Sequence, residues 1–301
     1  MTLRGPPEDR TPAELLRFGV VNLDKPPGPS SHQVSGWIRD AVSETLDARG
    51  ADVGIDRAAH AGTLDPKVTG CLPIMLGDAT RLAQAFLEGE KEYVAVLECH
   101  GPVPADAESV VAEFEGPIYQ KPPRKSAVSR RLRVREIHAL EVLEAEDRRL
   151  LLRIRCESGT YVRKLCHDLG LALGTGAHMG HLRRTATEPF DDSTLHGAYD
   201  LLDALAFWLE DDDPDPLTEI VEPGERILEH VPSVTIAESA AREVANGAPV
   251  YAPGVLEADD VERGSLVACY TPNGAAVCLG NLVGDPEAEE GAVVDLQRVL
   301  I

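Results

Sequence analysis

An aspartate set directly before a proline, with Gly62 and Gly70 on either side, is the first feature that could do chemistry. The stretch is HAGTLDPKVTGCLPI, His60 to Ile74, and it runs into the apolar Cys71–Leu76. Aspartate-proline commonly starts a turn, and Pro66 restricts the backbone of Asp65. A carboxylate held that way can act as nucleophile or base. Hydrolysis of the glycosidase kind would need a second acid, and these motifs offer no obvious partner. Arg163, in ESGTYVRKL, falls near the first turn of an expected helix, where a cation opposes the helix dipole. A carboxylate from elsewhere in the chain would compensate it. The six cysteines form no C-x-x-C pair and several lie in apolar runs, so they read as small hydrophobes. The nine histidines show no H-E-x-x-H spacing. No metal or disulfide is expected.

The elements that must position these residues are legible in the pattern. FGVVNLDKPPG reads as a short buried strand ending in a proline-rich turn that contains Lys25 and Pro26. Ser30 and Gln33 form a capping box for a helix to about Leu46, with Val34, Trp37 or Ile38, Ala41 and Val42 at helical spacing. KEYVAVLECHG is a strand with Tyr93, Ala95 and Leu97 on one face. LLRIRC alternates Leu152, Ile154 and Cys156 against Arg153 and Arg155 and leads into a helix on Val162, Leu165, Cys166, Leu169 and Leu173, with Gly174 as its stop. The acidic, proline-bearing run LEDDDPDPLTEIVEPGER, Leu209 to Arg226, reads as a surface connection and domain boundary. Beyond it SVTIA, ESAAREVANG, SLVACYT, AAVCLGNLV and AVVDLQRVL describe a small, mostly-β module with one early helix.

At 301 residues the chain exceeds what one core usually holds, which predicts two domains. No apolar run reaches bilayer length, and the first residues carry no signal pattern, so a cytoplasmic protein is expected. A formal charge of −22 argues at first sight against nucleic acid. The charge is uneven, however. Between Lys121 and Arg184 fifteen basic residues face seven acidic ones, a local balance of +8. Many carboxylates, six lysines and few aromatics resemble the composition of proteins from organisms with a salty cytosol. There the Debye length falls to about 3 Å and long-range repulsion of phosphate is screened. The basic island therefore points to RNA, while a solvated charged face is its plainer reading.

In combination, DKPPGPSSH, HAGTLDPKVTGCLPI, KEYVA, SGTYVRKL and HLRRT stand in the order and approximate spacing of the TruB-type pseudouridine synthases. GTLDPKVTGCL and KPPRKSAVSRRLRVR most resemble the archaeal and eukaryotic branch, the dyskerin-like catalytic subunit of H/ACA guide-RNA particles, and GAPVYAPGVL resembles a PUA domain. The lysine-rich tails of the eukaryotic members are missing, so the archaeal form fits better. The likeness runs from about Phe18 to Val283.

The resemblance implies an α+β pseudouridine synthase fold, a mixed, mainly antiparallel sheet flanked by helices, over residues 1–226, with about the first 17 as an extension packing on the second domain. That second domain is a small β-barrel-like PUA unit over 227–301. It implies that Asp65 is catalytic without any cofactor, paired with Arg163 in a site that excludes water, and that Tyr93 stacks on the uracil near carbon 5 as proton acceptor or relay. Tyr161 and Leu182 would line the base pocket, His60 would occupy space near the flipped base, and Lys25 and Pro26 would pack beneath the loop. Lys121, Arg124, Lys125, Arg130, Arg131 and Arg133 would contact RNA phosphates, and Gly247, Ala248 and Pro249 would let RNA approach the backbone. On their own, Tyr93, Tyr161 and Leu182 read as core residues, His60 as a surface turn histidine, and Asn246 to Pro249 as a helix cap. The implied partners are guide RNA, rRNA and tRNA with small accessory proteins, no membrane, and a monomer outside the particle. A guide-independent tRNA enzyme and a non-catalytic RNA-binding scaffold are the competing readings.

Overall fold

The computed structural model describes residues 3–87, 89–122 and 131–301. Ten strands among them form one sheet. In chain order these are β1 (Phe18–Lys25), β2 (Ala58–His60), β3 (Thr69–Gly77), β4 (Lys91–Cys99), β5 (Gly116–Gln120), β6 (Arg133–Ala145), β7 (Arg149–Cys156), β8 (Ala177–Thr187), β9 (Phe190–Asp191) and β10 (Glu222–Pro223). The order across the sheet is β10-β1-β3-β8-β4-β7-β6-β5, with β2 on β3 and β9 on β8. Pairing is antiparallel except at one short parallel junction, where Thr69 and Gly70 of β3 meet Arg183 and Arg184 of β8. The Asp65 loop ends at this junction, so it sits where the two halves of the sheet are joined.

The helices are α1 (Pro12–Arg17), α2 (Ser31–Ala48), α3 (Ala107–Ala112), α4 (Val162–Ala172), α5 (Ala198–Asp211), α6 (Asp215–Ile220) and α7 (Glu238–Ala245). The Ser30–Gln33 capping box is formed, and Ile38 rather than Trp37 takes the core position of α2. Side chains alternate across a strand, and both faces of β1 are covered. Val21 and Leu23 join Val34 and Ile38 of α2, Leu165 of α4 and Leu205 of α5 in one core. Phe18 and Val20 join Ile227, Ala268, Leu279 and Leu300 in another. That is why this strand reads as a continuous apolar run rather than an alternating one.

The remaining strands, β11 (Ser233–Ile236), β12 (Val250–Tyr251), β13 (Val255–Ala258), β14 (Leu266–Tyr270), β15 (Ala276–Leu282) and β16 (Ala292–Val299), form a barrel-like second sheet ordered β12-β16-β15-β14-β11-β13. The N-terminal segment runs against both units. Arg10 makes a bidentate pair with Glu225 at 2.5 and 2.6 Å, and Glu225 also accepts from the Ala276 amide at 3.0 Å. The Arg4 guanidinium lies 3.7 Å from the Phe18 ring centroid and donates to the Leu300 carbonyl.

The acidic run from Leu209 to Arg226 differs from its expectation as a surface connection. It holds the end of α5, all of α6 and β10, which pairs with β1. Leu217 and Val221 are fully buried. Pro214 and Pro216 begin α6, where a missing amide costs nothing, so the prolines start structure instead of breaking it.

Candidate active site

Asp65 sits in a turn closed by the Val68 amide donating to the Asp65 carbonyl at 2.9 Å, with Pro66 next in the chain. Aspartate then proline at the first two positions is the arrangement such turns favour. The turn is pinned from below. The buried Lys25 ammonium donates to the carbonyls of Pro26, Pro66 and Val68 at 3.0, 3.1 and 2.8 Å. Burial lowers the pKa of Lys25, and the three carbonyl dipoles are what its charge meets. On the other side of Asp65, Ser31 Oγ accepts from the Leu64 amide at 2.8 Å and donates to the Leu64 carbonyl at 3.1 Å. The backbone is therefore held on both sides of the carboxylate while the carboxylate itself projects outward. Pro26, on the connecting turn, is exposed.

Arg163 lies in the first turn of α4, whose preceding residue, Tyr161, supplies no side-chain cap. The buried Gln120 at the end of β5 grips the backbone there. Its Oε1 accepts from the Tyr161 amide at 2.8 Å and its Nε2 donates to the Tyr161 carbonyl at 3.2 Å. From this held helix start Arg163 Nη2 donates to Asp65 Oδ2, closing a separation of 98 residues. The pair is open to solvent, with side chains 61% and 54% exposed. An apical turn and a helix start meet at the surface here, and no element of the described residues covers them.

Tyr93 on β4 is 9% exposed and lies directly across from Ile154 of β7 and Arg184 of β8. Burial raises the pKa of its hydroxyl, and the charge of Arg184 opposes that rise. Leu182 is the cross-strand partner of Ala95 and, like Tyr161, is half-buried. The half-buried His60 has Nδ1 3.5 Å from Ser35 Oγ and Nε2 3.3 Å from Thr63 Oγ1. Burial, then the neighbouring His32 and Arg184, lowers its pKa, so its ring is neutral near pH 7.

Arg184 is the site residue that sequence reasoning missed. It is 1% exposed. Its Nε donates to the Cys71 carbonyl at 2.7 Å and its Nη2 to the Ala61 carbonyl at 3.0 Å. The flanking glycines of the Asp65 loop face this one residue. A β-carbon on Gly70 would come 2.2 Å from the Arg184 carbonyl oxygen, and one on Gly62 would come 2.9 Å from Nη1. Gly70 has φ +95° as well, so no other residue fits there. The available signal was the pair of glycines without an assigned neighbour. Ser31 and Gln120 left no comparable trace, because each reads as an ordinary polar residue.

Lys121 and Arg131 are exposed and Arg133 half-exposed, and Gln120 pairs with Arg133 across β5 and β6. This cationic hairpin base adjoins the Gln120–Tyr161 grip. Arg124, Lys125 and Arg130 lie outside the described residues. Gly247, Ala248 and Pro249 lie in the second unit, between α7 and β12. The Gly247 amide donates to the Val244 carbonyl at 2.9 Å and the Ala248 amide to the Glu243 carbonyl at 3.1 Å, which caps α7 in the Schellman manner. Among the described residues no group of three or more His, Cys, Asp or Glu could hold a metal ion, and no helix is long and apolar enough to cross a membrane.

One outward carboxylate on a turn, an arginine from a helix start, a buried tyrosine and a basic hairpin base suit a reaction on an extruded nucleotide. Comparison with known proteins agrees. The chain is 62% identical over 308 residues to "Probable tRNA pseudouridine synthase B" of Haloarcula marismortui, covering 100% of this chain and 94% of that protein. It belongs to the TruB family of pseudouridylate synthases. Two models of the family match, the N-terminal domain at residues 51–106 and the tRNA pseudouridylate synthase B C-terminal domain at 163–229, with a DKCLD (NUC011) domain at 5–35 and a PUA domain at 232–300. The TruB relative from Methanopyrus kandleri is 44% identical, covering 98% of this chain and 86% of its own length. Among solved structures, "Crystal Structure of a Cbf5-Nop10-Gar1 Complex" matches with 44% identity and a TM-score of 0.91, covering 99% of this chain and 90% of that one. "Structure of H/ACA RNP bound to a substrate RNA containing 2'-deoxyuridine" matches with 42% identity, a TM-score of 0.89 and coverage of 99% and 90%. The TruB fold is thus the α+β architecture expected, a pseudouridine synthase unit with a PUA domain, and the chain is an RNA pseudouridine synthase.

Proposed function

We propose that this chain isomerises uridines of ribosomal RNA chosen by an H/ACA guide RNA, working in the cytoplasm with small accessory proteins. The observation that carries the reading is the Asp65–Arg163 pair at a solvent-open position, in a fold that matches chains of solved H/ACA complexes over 90% or more of their length. In the reaction the bond from ribose carbon 1′ to base nitrogen 1 breaks, the uracil turns, and carbon 5 bonds to carbon 1′. Nitrogen 1 gains a proton and carbon 5 loses one, so the change is redox-neutral and no cofactor takes part. Asp65 attacks carbon 1′ or removes the 2′ proton. Arg163 aims the carboxylate by a charge-assisted hydrogen bond. Tyr93 stacks on the base and accepts or relays the carbon 5 proton. Tyr161 and Leu182 bound the base, and His60 fills the space beside it, once the nucleotide is flipped out at a cost of a few kcal/mol.

Lys25 and Pro26 support the loop. Lys121, Arg131 and Arg133, with Arg124, Lys125 and Arg130, neutralise phosphates along the hairpin. Residues 227–301, with the capped turn at Gly247, Ala248 and Pro249, grip the RNA away from the chemistry.

A second reading is favoured by the names of the relatives, which specify tRNA: the chain alone converts the T-loop uridine. The two separate by assay of the purified chain on tRNA and on rRNA fragments, with and without guide RNA and accessory proteins. Conversion of rRNA that requires the guide supports the first reading. Conversion of rRNA fragments with no guide contradicts it, and conversion of tRNA by the chain alone establishes the second.

A further inference from the structure

Arg184 has no place in the mechanism described so far. It is nevertheless a fully buried guanidinium with no carboxylate paired to it among the described residues. Its neighbour Arg183 turns the other way and meets Asp24 on the surface at 2.9 and 3.2 Å. Burying an unpaired cation is costly, and a loop can be pinned more cheaply by neutral donors, as Ser31 does for Leu64. Lys25 meets that cost beneath the Asp65 turn itself; Arg184 meets it directly across β4 and β8 from Tyr93.

We propose that Arg184 is a positioning residue of the isomerisation: its guanidinium holds the Tyr93 hydroxyl and both ends of the Asp65 loop as one unit, so that the phenol is correctly placed to take the carbon 5 proton. The geometry has three parts. The donation to Ala61 anchors the chain entering the loop, and the donation to Cys71 anchors the chain leaving it. The positive charge beside the hydroxyl opposes burial, which by itself disfavours the phenolate and makes the hydroxyl slow to release its proton. In the step concerned, carbon 5 has already bonded to carbon 1′ and still carries its hydrogen. Breaking the C–H bond returns the electron pair to the ring, and the proton passes to a water held by the Tyr93 hydroxyl, or through that hydroxyl, which takes it while giving its own proton to water. An arginine fork reaches all three targets at once, which lysine's single ammonium does not.

This inference rests on the proposed roles of Asp65 and Tyr93, so its test must separate the two. The full chain, in whichever preparation supports wild-type turnover, is given RNA with hydrogen or deuterium at carbon 5 of the target uridine. Wild type, Arg184→Met, Arg184→Lys and Asp65→Asn are compared for single-turnover rate, isotope ratio, RNA retention and melting temperature. Arg184→Met is expected to lose about 100-fold in rate, the scale of a mispositioned acid–base group, with RNA retention kept. Its isotope ratio is expected to exceed the wild-type value, because proton removal becomes the slow step. Arg184→Lys is expected to recover part of the rate and to show an intermediate ratio. A wild-type rate in Arg184→Met overturns the proposal, as does a slowed variant with an unchanged isotope ratio, which marks a strut of the fold. Should Arg184→Met fail to fold, the ratio in Arg184→Lys decides alone: raised supports, unchanged overturns. Turnover surviving in Asp65→Asn would instead refute the underlying assignment of the site.

Discussion

Arg10 and Arg163 each meet a carboxylate far away in the chain, and the two pairs are built for opposite purposes. Arg10 and Glu225 are buried, with side chains 2% and 9% exposed, joined by two short hydrogen bonds and a third from the Ala276 amide. Arg163 and Asp65 share one hydrogen bond and are more than half exposed. A buried pair of this kind is costly to break singly, because the partner is left charged in a low dielectric. An exposed pair contributes between about 0 and 1 kcal/mol and can be taken apart by an arriving ligand. The first pair therefore fixes the N-terminal segment against both folded units. The second keeps a carboxylate aimed yet available.

Breaking each pair from its arginine side should show the contrast. Arg10→Ala is expected to destabilise the fold by about 3–5 kcal/mol, read by urea or thermal unfolding at constant salt, with turnover per folded molecule retained. A loss below about 1 kcal/mol would put that pair in the surface class. Arg163→Ala is expected to leave stability within about 1 kcal/mol of wild type. Its single-turnover rate should fall about 100-fold, because the carboxylate loses its aim. A smaller effect should appear with pH at His60, whose folded-state pKa is lowered by burial. Above the unfolded value of about 6.5 both states are neutral and His60 costs nothing. As pH falls through 6.5 the unfolded chain takes up the proton first, so stability falls, levelling below the folded-state pKa. The stability difference between His60→Asn and wild type should therefore move in favour of the variant from pH 7.5 to 5.5; a pH-independent difference would contradict the lowered pKa.

Much of the frame around the open pair was legible in the sequence. The alternation of β4 and β7 and the capping box of α2 each state a periodicity that one face of a core demands. Adjacent arginines in HLRRT must point to opposite faces of a strand, but alternation does not say which face is inside. That is why Arg183 and Arg184 read alike, although one is on the surface and the other beneath Tyr93. The acidic run after Leu209 misled for a related reason. Its charges and prolines are surface signals, while Leu217 and Val221, which carry the packing, are too few to show a period. The exposure of Asp65 was likewise hidden, because a turn motif specifies local backbone and not what stands above it.

The central claim, that the exposed carboxylate does the chemistry while the surrounding contacts hold the fold, is tested most directly by Asp65→Asn. The substitution changes the charge and little else. The account predicts conversion of uridine to pseudouridine reduced by about 1,000-fold or more, as for loss of a reacting group, with RNA retention and melting temperature close to wild type. Mass-spectrometric mapping that finds undiminished pseudouridine with this variant would contradict it.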